Sequence, residues 1–377
     1  MPRQIRIAAT QMDAAPASTD ERLRRAESLV RQAAEGGAQL VVLPELFNTG
    51  YIYDEANYQK AEFLDGPTVS WLKRTAAQYR VHISGTLLLV DGDHVYNSAV
   101  LAAPDGRTWR YDKLYPWGWE RAYYRDGHNI TVADTDLGKL GMMICWDYAH
   151  PELWRRYAGK VDAMVVMSCP PNVPGMRLLL PDGMRQPFSD ERDFFDGSDS
   201  PFGADMNEQA EWLGVPLVNS TGAGTLITAV PSPYLSLLGG LARNPQLLAI
   251  LPQAPDVRLE TDFYPQAKVV DHHGQLVSRV AGDGDGFVIG EVSLADQTPQ
   301  PVGIQPPSRM KPLAYLYSDV LLPAFTMPDY RAGYRRRFGD QFAPPDPSTL
   351  RWMVIFVAAL VVGFILGRFG SRGDSHS

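Results

Sequence analysis

Apolar and polar positions along the chain follow two periods, one typical of strands and one typical of helices, and stretches of the two kinds alternate. Ile5 and Ile7 lie on one side of an alternating run, and residues 39–43 and 161–168 are largely apolar, which is typical of strands buried on both faces. Between such runs, residues 67–80 place apolar side chains at the spacing of an amphipathic helix. This alternation predicts a sheet with helices packed outside it.

Turn and cap signals mark the ends of these elements. Ser18 and Glu21 have the spacing of a capping box, so a helix is predicted to begin there and to end at Gly36-Gly37. Asp91-Gly92 and His273-Gly274 predict hairpin turns, so some neighbouring strands are antiparallel. The other predicted elements are strands over 3–10, 39–43, 82–90, 95–103, 140–144, 161–168, 215–219 and 287–292 and a helix over 204–213. The fold class is therefore α/β with a mixed sheet.

The strand over 140–144 ends at Cys145, where the apolar pattern changes. Pro151 and Glu152 then begin a helix, because proline is tolerated in the first helical turn and an acidic side chain is favoured there. Cys145 thus lies at a strand-to-helix corner, where free backbone N–H groups can bind an anion and a nucleophilic thiol can be presented. The alternative is a small buried hydrophobic residue, and this stretch alone leaves both open.

Further charged side chains follow two other strands. Glu45 comes after the strand over 39–43, and Lys113 follows the strand that carries Tyr111, with Glu120 further on. Taken singly, Glu45 could lie in a surface turn and Lys113 could extend along the surface to water. Together with the cysteine, they supply a base, a positive charge and a nucleophile, which are the groups that acyl chemistry at a thiol requires.

These stretches resemble the motifs of the nitrilase superfamily of carbon–nitrogen hydrolases. Glu45 matches the glutamate of the Leu-Pro-Glu motif, Lys113 the lysine of the Asp-Lys motif and Cys145 the cysteine of the Cys-Trp-Asp motif. Glu120 matches a second glutamate that many members carry after the lysine. The resemblance extends from about residue 3 to about residue 294. It implies an α-β-β-α four-layer sandwich.

The resemblance also implies a covalent mechanism at Cys145. Glu45 would be the general base, and Lys113 would favour the thiolate and later the oxyanion. The backbone N–H of Trp146 would be a second oxyanion donor, and Glu120 would orient the lysine or hold the substrate. Further candidates for the substrate pocket are Tyr51, Trp117, Asp147 and Asn219.

Asp147 favours amides as the expected substrate class. An aspartate after Cys145 and Trp146, followed by Pro-Glu, resembles N-carbamoyl and aliphatic amide hydrolases, whereas nitrilases more often carry glutamate there. Nitrile hydrolysis and acyl transfer to an amine remain alternatives, and a membrane scaffold with a decayed site is the non-enzymatic one. We expect no cofactor and no metal, because phosphate-binding fingerprints are absent and Asp271-His272-His273 falls in a hairpin turn.

Charge and cysteine content narrow the class of protein further. The net charge of −8 over 377 residues argues against a nucleic-acid partner. Cys145 and Cys169 are the only cysteines, so a free thiol in a reducing compartment is expected rather than a disulfide framework. The N-terminus lacks the apolar segment of a signal peptide, which favours a cytoplasmic catalytic domain.

An apolar segment near the C-terminus, residues 352–367, contains no charged side chain. Its length is near the short limit for a spanning helix, Arg351 and Arg368 bracket it, and Trp352 suits an interfacial anchor. We therefore expect a single transmembrane helix over 350–369 that anchors the protein, with the catalytic domain on the cytoplasmic side. The alternative is a buried C-terminal helix.

The hydrolase domain is predicted over 1–296, with irregular inserts at about 170–203 and 230–261. Residues 297–349 are expected to form an arm and linker that packs on the domain or on a second subunit of a homo-oligomer, and 370–377 a short tail. Because the second insert is apolar but interrupted by proline and glycine, it favours an amphiphilic amide drawn from a membrane, with oligomer contacts as the alternative.

Overall fold

The computed structural model describes residues 3–92, 94–188, 203–241 and 244–339. Its strands are β1 (Arg3–Asp13), β2 (Leu40–Val42), β3 (His82–Asp91), β4 (His94–Ala102), β5 (Thr108–Asp112), β6 (Val132–Thr135), β7 (Gly138–Ile144), β8 (Ala163–Ser168), β9 (Arg177–Leu179), β10 (Arg185–Pro187), β11 (Leu217–Ala223), β12 (Thr225–Ala229), β13 (Arg258–Asp262), β14 (Lys268–Val270), β15 (Leu276–Arg279) and β16 (Gly286–Leu294).

The α-helices are α1 (Thr19–Glu35), α2 (Ala56–Lys60), α3 (Pro67–Tyr79), α4 (Pro151–Tyr157), α5 (Ala204–Leu213), α6 (Pro233–Gly240), α7 (Leu247–Ile250), α8 (Pro312–Tyr315) and α9 (Leu322–Phe338). Short 3₁₀ helices cover Gly118–Ala122, Cys145–Ala149, Val173–Gly175 and Leu251–Asp256, and one π-helical turn covers Leu316–Leu321.

The predicted fold class is wrong in its transmembrane helix. Within the described ranges, no helix is long and apolar enough to cross a membrane. A spanning helix needs about 20 apolar residues in succession, whereas α1 and α9 have 17 residues each and carry charged side chains. The predicted anchor at 350–369 and the tail at 370–377 lie outside the described residues. The membrane location was inferred from this anchor, so it is not supported either.

β1 joins the two halves of the main sheet. Among the described residues, 12 strands form one hydrogen-bonded network in the order β5-β4-β3-β2-β1-β11-β8-β7-β6, to which β14, β15 and β16 are attached. Residues 7–9 of β1 pair in parallel with β2, and residues 11–13 pair in parallel with β11. β16 runs antiparallel along the other edge of β1. The network is therefore mixed, as the alternation and the hairpin signals predict.

The two halves pack face to face with helices outside. Val41 of β2 packs with the apolar faces of α1 and α3, whereas its neighbours Leu40 and Val42 belong to the core shared with β8. This split follows from the alternation of side chains along a strand. Helix α4 is tied to β7 by the Tyr157 hydroxyl, which donates to the Met142 carbonyl at 2.5 Å. The layer order is helix, sheet, sheet, helix.

Local sequence signals locate α1 well. The Ser18 side chain accepts a hydrogen bond from the Glu21 N–H at 3.3 Å, and Gly37 follows the helix with a φ of 86°. The capping side chain satisfies one of the N–H groups that a helix start leaves unpaired, and glycine adopts the left-handed conformation without a steric penalty. The predicted helix and its two ends are confirmed.

The inserts are more ordered than predicted. The described part of the first insert forms β9 and β10, and the second contributes α6, α7 and β13. Together with β12 they build a second sheet, in the order β10-β9-β13-β12. Leu237 of α6 has 0% of its surface exposed, so this part of the insert belongs to the core. The two inserts therefore support each other, which could not be seen from either one alone.

The segment that follows the sandwich is helical rather than irregular. Helix α8, the π-helical turn and α9 form a continuous run from 312 to 338, which we call the C-terminal arm. Leu322, Phe325 and Tyr330 of the arm are buried, and α9 packs on the 3₁₀ helix Gly118–Ala122. The arm thus covers one of the segments that carry candidate site residues.

Candidate active site

Three candidate side chains come from the ends of strands in both halves of the sheet. Glu45 follows β2, Lys113 directly follows β5, and Cys145 directly follows β7. Leu46, next to the glutamate, has a φ of 48°, and its N–H donates to the Thr86 hydroxyl at 2.8 Å. The chain therefore turns sharply after β2, and a neighbouring strand holds that turn.

Lys113 is the centre of a buried ion cluster. Its side chain is 0% exposed, and its ammonium group donates to Glu45 Oε1 at 2.8 Å. It also donates to both carboxylate oxygens of Glu120, at 3.0 and 2.7 Å. A buried lysine pays a large desolvation cost unless carboxylates surround it in this way. The cluster joins Glu45 to Lys113 and Glu120, which lie 68 and 75 positions further along the chain.

Each carboxylate of the cluster has further donors. Asn97 donates its side-chain amide to Glu45 Oε1 at 2.8 Å, and the backbone N–H of Cys169 donates to Glu45 Oε2 at 2.9 Å. Glu120 accepts from the Tyr51 hydroxyl at 2.5 Å and from the Trp117 N–H at 2.7 Å. Both glutamates are therefore fixed in position before any ligand binds.

The backbone at Cys145 is strained. The residue has a φ of 46°, a left-handed conformation that costs a non-glycine residue about 1–3 kcal/mol. Such strain persists only where the surroundings hold it, and Asp147 is the residue that does so. Its carboxylate accepts from the Ile144 N–H at 2.9 Å, the Tyr115 N–H at 2.8 Å and the Tyr111 hydroxyl at 2.6 Å. The thiol is thus presented on a braced corner.

The chain is similar in sequence to known proteins. The carbon–nitrogen hydrolase family model matches residues 6–182. A nitrilase of Pyrococcus abyssi is 36% identical over 160 residues, which are 41% of this chain and 61% of that protein. The 2-oxoglutaramate amidase of Bacillus subtilis is 31% identical over 159 residues, which are 41% of this chain and 60% of that protein.

The fold has solved counterparts as well. An amidase of Nesterenkonia sp. AN1, solved in complex with butyramide, superposes with a TM-score of 0.55 at 20% identity and covers 76% of this chain and 90% of its own. The chain is thus similar to the nitrilase superfamily of carbon–nitrogen hydrolases over residues 6–182. It spans about three-fifths of the length of the two sequence relatives, so its activity is taken up below as a proposal.

Burial and charge set the protonation of the site. Burial raises the pKa of Glu45 to about 7, against the lowering effect of Lys113. Burial also raises the pKa of the Cys145 thiol well above its usual value, and the Glu45 carboxylate adds to this effect. For Lys113, burial opposes the charged form, but Glu120 and Glu45 outweigh it and raise the lysine pKa. The resting cysteine is therefore a thiol beside a base that titrates near neutral pH.

The four pocket candidates are all buried, and their polar contacts differ. Tyr51 and the N–H of Trp117 contact Glu120, so both lie beside the ion cluster. The carboxylate of Asp147 is occupied by the corner that it braces. Asn219 accepts from the Ser168 hydroxyl at 3.0 Å and donates to the Gln266 carbonyl at 3.4 Å, which ties neighbouring strand ends together. Whether these side chains touch a substrate stays a prediction.

Two groups in the site were not predicted from the sequence. Asn97 lies inside a strand and has no motif around it, and the contribution of Cys169 is a backbone N–H that any residue but proline could supply. Asn97 lies on β4, which pairs with the strand that Lys113 follows, so a search for polar side chains on the strand beside Lys113 would have found it.

No metal centre is formed by the part of the chain that the structure describes, where no group of three His, Cys, Asp or Glu side chains could hold an ion. The carboxylates of Glu45 and Glu120 share the Lys113 ammonium group as their ion-pair partner. An ammonium group fixed by two carboxylates can stabilise a developing negative charge on a nearby oxygen atom. The cluster is therefore suited to chemistry at a carbonyl group.

Proposed function

We propose that the protein is a thiol hydrolase that cleaves a carbon–nitrogen bond other than a peptide bond, with an amide as substrate. The observation that carries the proposal is the buried cluster in which Lys113 joins Glu45 to Glu120 beside the strained Cys145. Such a cluster has no structural need to be charged, because apolar side chains of similar volume would stabilise a core at least as well.

In the first half of the reaction, Cys145 attacks the amide carbonyl carbon while Glu45 takes the thiol proton. The tetrahedral oxyanion is stabilised by the Lys113 ammonium group and the Trp146 N–H. Glu45 then gives its proton to the leaving nitrogen, the carbon–nitrogen bond breaks, and ammonia or an amine departs. The acyl group remains on the sulfur atom as a thioester.

In the second half, water hydrolyses the thioester. Glu45 takes a proton from the water as its oxygen attacks the acyl carbon, and the carbon–sulfur bond breaks. The proton is returned to the sulfur atom, so the carboxylic acid is released and the thiol is restored. Glu120 contributes by fixing Lys113, since it accepts from the ammonium group through both oxygens.

Nitrile hydrolysis is the second candidate, because the Pyrococcus abyssi relative is a nitrilase. Amides are favoured by Asp147, because an aspartate after Cys145 and Trp146 resembles amide hydrolases, whereas nitrilases more often carry glutamate there. Purified protein should be assayed against matched pairs of amides and nitriles with the same acyl chain, with and without hydroxylamine as acyl acceptor. Release of carboxylic acid and ammonia from the amides supports the proposal, whereas turnover of the nitriles alone would refute it.

The rate should depend on pH through Glu45. Because this residue must be unprotonated to accept the thiol proton and its pKa is about 7, we expect kcat/KM for an amide to rise across roughly pH 6 to 8. A Glu45→Gln variant should lose this rise together with most of its activity. A profile already flat from pH 5 upward would show that the glutamate is not the base.

Of the side chains expected to form an apolar rim around the site mouth, Met176, Leu180 and Leu237 are buried, whereas Leu238 is 39% exposed. The rim is therefore only partly formed, and an amphiphilic substrate is not part of the proposal. The homo-oligomer stays a prediction. Light scattering of the purified protein should give a multiple of the 41.8 kDa chain mass, and a monomer at all concentrations would rule it out.

A further inference from the structure

Asp319, on the π-helical turn of the C-terminal arm, reaches the cysteine corner from outside. Its Oδ1 accepts from the Trp146 indole N–H at 3.0 Å, and its Oδ2 lies 3.0 Å from His150 Nε2. Trp146 and His150 belong to the turn that starts at Cys145. One carboxylate therefore holds two side chains of that turn at once.

The same carboxylate contacts the other half of the candidate site. Arg121 lies 3.7 Å from Asp319 Oδ1 and also donates to the Ser318 carbonyl at 3.2 Å. Arg121 is the neighbour of Glu120, which fixes Lys113. Asp319 thus links the turn that carries the thiol to the 3₁₀ helix that carries the second glutamate.

His150 is held between two acceptors. Its Nδ1 lies 3.1 Å from the Trp146 carbonyl oxygen, and its Nε2 faces Asp319. Tyr115 stacks on the imidazole ring with 3.6 Å between centroids, and the Tyr315 hydroxyl of the arm donates to the Ala149 carbonyl. The backbone carbonyl group of Trp146 is therefore fixed. The backbone N–H of the same residue directly follows the strained Cys145.

The arm bulges where it makes these contacts. The six residues Leu316–Leu321 form a π-helical turn within an otherwise α-helical run. Such turns are rare and frequently lie at functional sites, because they move a side chain out of the α-helical register. Asp319 is 19% exposed in its side chain, so its carboxylate is mostly withdrawn from water as well.

We propose that Asp319 is a positioning residue for the reaction, and that the arm completes the active site. It acts by holding Trp146 and His150, so that the Trp146 N–H and the Cys145 thiol keep the orientation that attack on a carbonyl requires. The inference rests on the proposed function, in which that N–H stabilises the oxyanion. Displacement of a catalytic group by about 1 Å can cost a hundredfold in rate.

The test compares Asp319→Ala, Asp319→Asn and Asp329→Ala. Asp329 is a matched control, because it is a second carboxylate of the arm and accepts from the Ser232 N–H at 2.7 Å and hydroxyl at 2.6 Å, away from the corner. The asparagine can still accept from Trp146, and its amide can donate to a neutral His150 that keeps its Nδ1 proton. It should therefore restore most of what alanine removes.

We expect Asp319→Ala to lower kcat for an amide by about tenfold to a hundredfold with KM little changed, and Asp319→Asn and Asp329→Ala to stay close to wild type. The rate of Cys145 alkylation by iodoacetamide, followed by peptide mass mapping, should show the same order. Thermal unfolding of each variant separates a lost fold from a displaced group.

The outcomes are separable. If Asp319→Ala is folded and matches wild type in kcat and in alkylation rate, the positioning role is overturned. An equal loss in the Asp329→Ala variant would also overturn it, because the arm would then act through stability alone. If the wild-type protein hydrolyses no amide, the proposed function fails, and the order of alkylation rates still decides the role of Asp319.

Discussion

Replacing Cys145 with alanine is expected to lower kcat for amide hydrolysis at least about a thousandfold, because the nucleophile is removed and the other catalytic groups act only with it. Stability should change by no more than about 1 kcal/mol, since the side chain is small and alanine meets the same strain at a φ of 46°. Steady-state kinetics and thermal unfolding measure the two effects. Activity above about a hundredth of wild type would rule out the covalent mechanism.

Replacing Lys113 with methionine is expected to remove activity and to destabilise the fold. Glu45 and Glu120 would be left buried without their shared cation, and breaking a buried ion pair from one side costs roughly 3–5 kcal/mol. Denaturant unfolding measures the loss. The double variant Lys113→Met, Glu120→Gln should recover part of the stability, because one buried charge is gone, but none of the activity.

The destabilisation of the Lys113→Met variant should depend on pH. Burial raises the pKa of Glu45 from 4.5 to about 7, so this group takes up a proton on folding between those values. A carboxyl group with a raised pKa destabilises the fold above that pKa, and the cost is relieved as the pH falls towards the value of the unfolded chain. We expect the difference between wild type and variant to shrink from pH 8 towards pH 5. A difference that does not change with pH would mean that the carboxylates are not the cause.

The elements with local signals were predicted from the sequence. The capping box at Ser18 and the period of residues 204–213 depend on neighbours within a few positions, so α1 and α5 are found where they were expected. Glu45, Lys113 and Cys145 each follow a strand, and ordered motifs make the three positions readable together. Patterns among nearby residues are thus enough to predict these elements of the sandwich and the positions of the candidate residues.

Contacts between distant segments could not be predicted in this way. Asp319 and Trp146 are separated by 173 positions, and no pattern around either residue signals the other. The arm itself was not predicted as a helix, because Pro323 and Pro328 are typical breakers. Pro323 comes just after the π-helical turn, where the hydrogen-bond register changes. Packing against the domain overrides the local preference at Pro328.

The predicted membrane anchor shows the limit of hydropathy alone. The segment 352–367 is apolar enough to predict a spanning helix, but a run of apolar residues does not report which surface they contact. Within the described ranges the long helices are amphipathic or proline-containing, and none meets the requirements of a span. The second insert is similar, since its apolar side chains such as Leu237 pack into the core.

The most direct test of the central claim is the mass of the protein during turnover. Wild-type protein quenched with acid during hydrolysis of an amide should carry one additional acyl group, peptide mapping should find it on Cys145, and hydroxylamine should remove it. The Cys145→Ala variant treated in the same way should keep its unmodified mass. An acyl group on any other residue, or continued hydrolysis by the alanine variant, would contradict a thioester mechanism at Cys145.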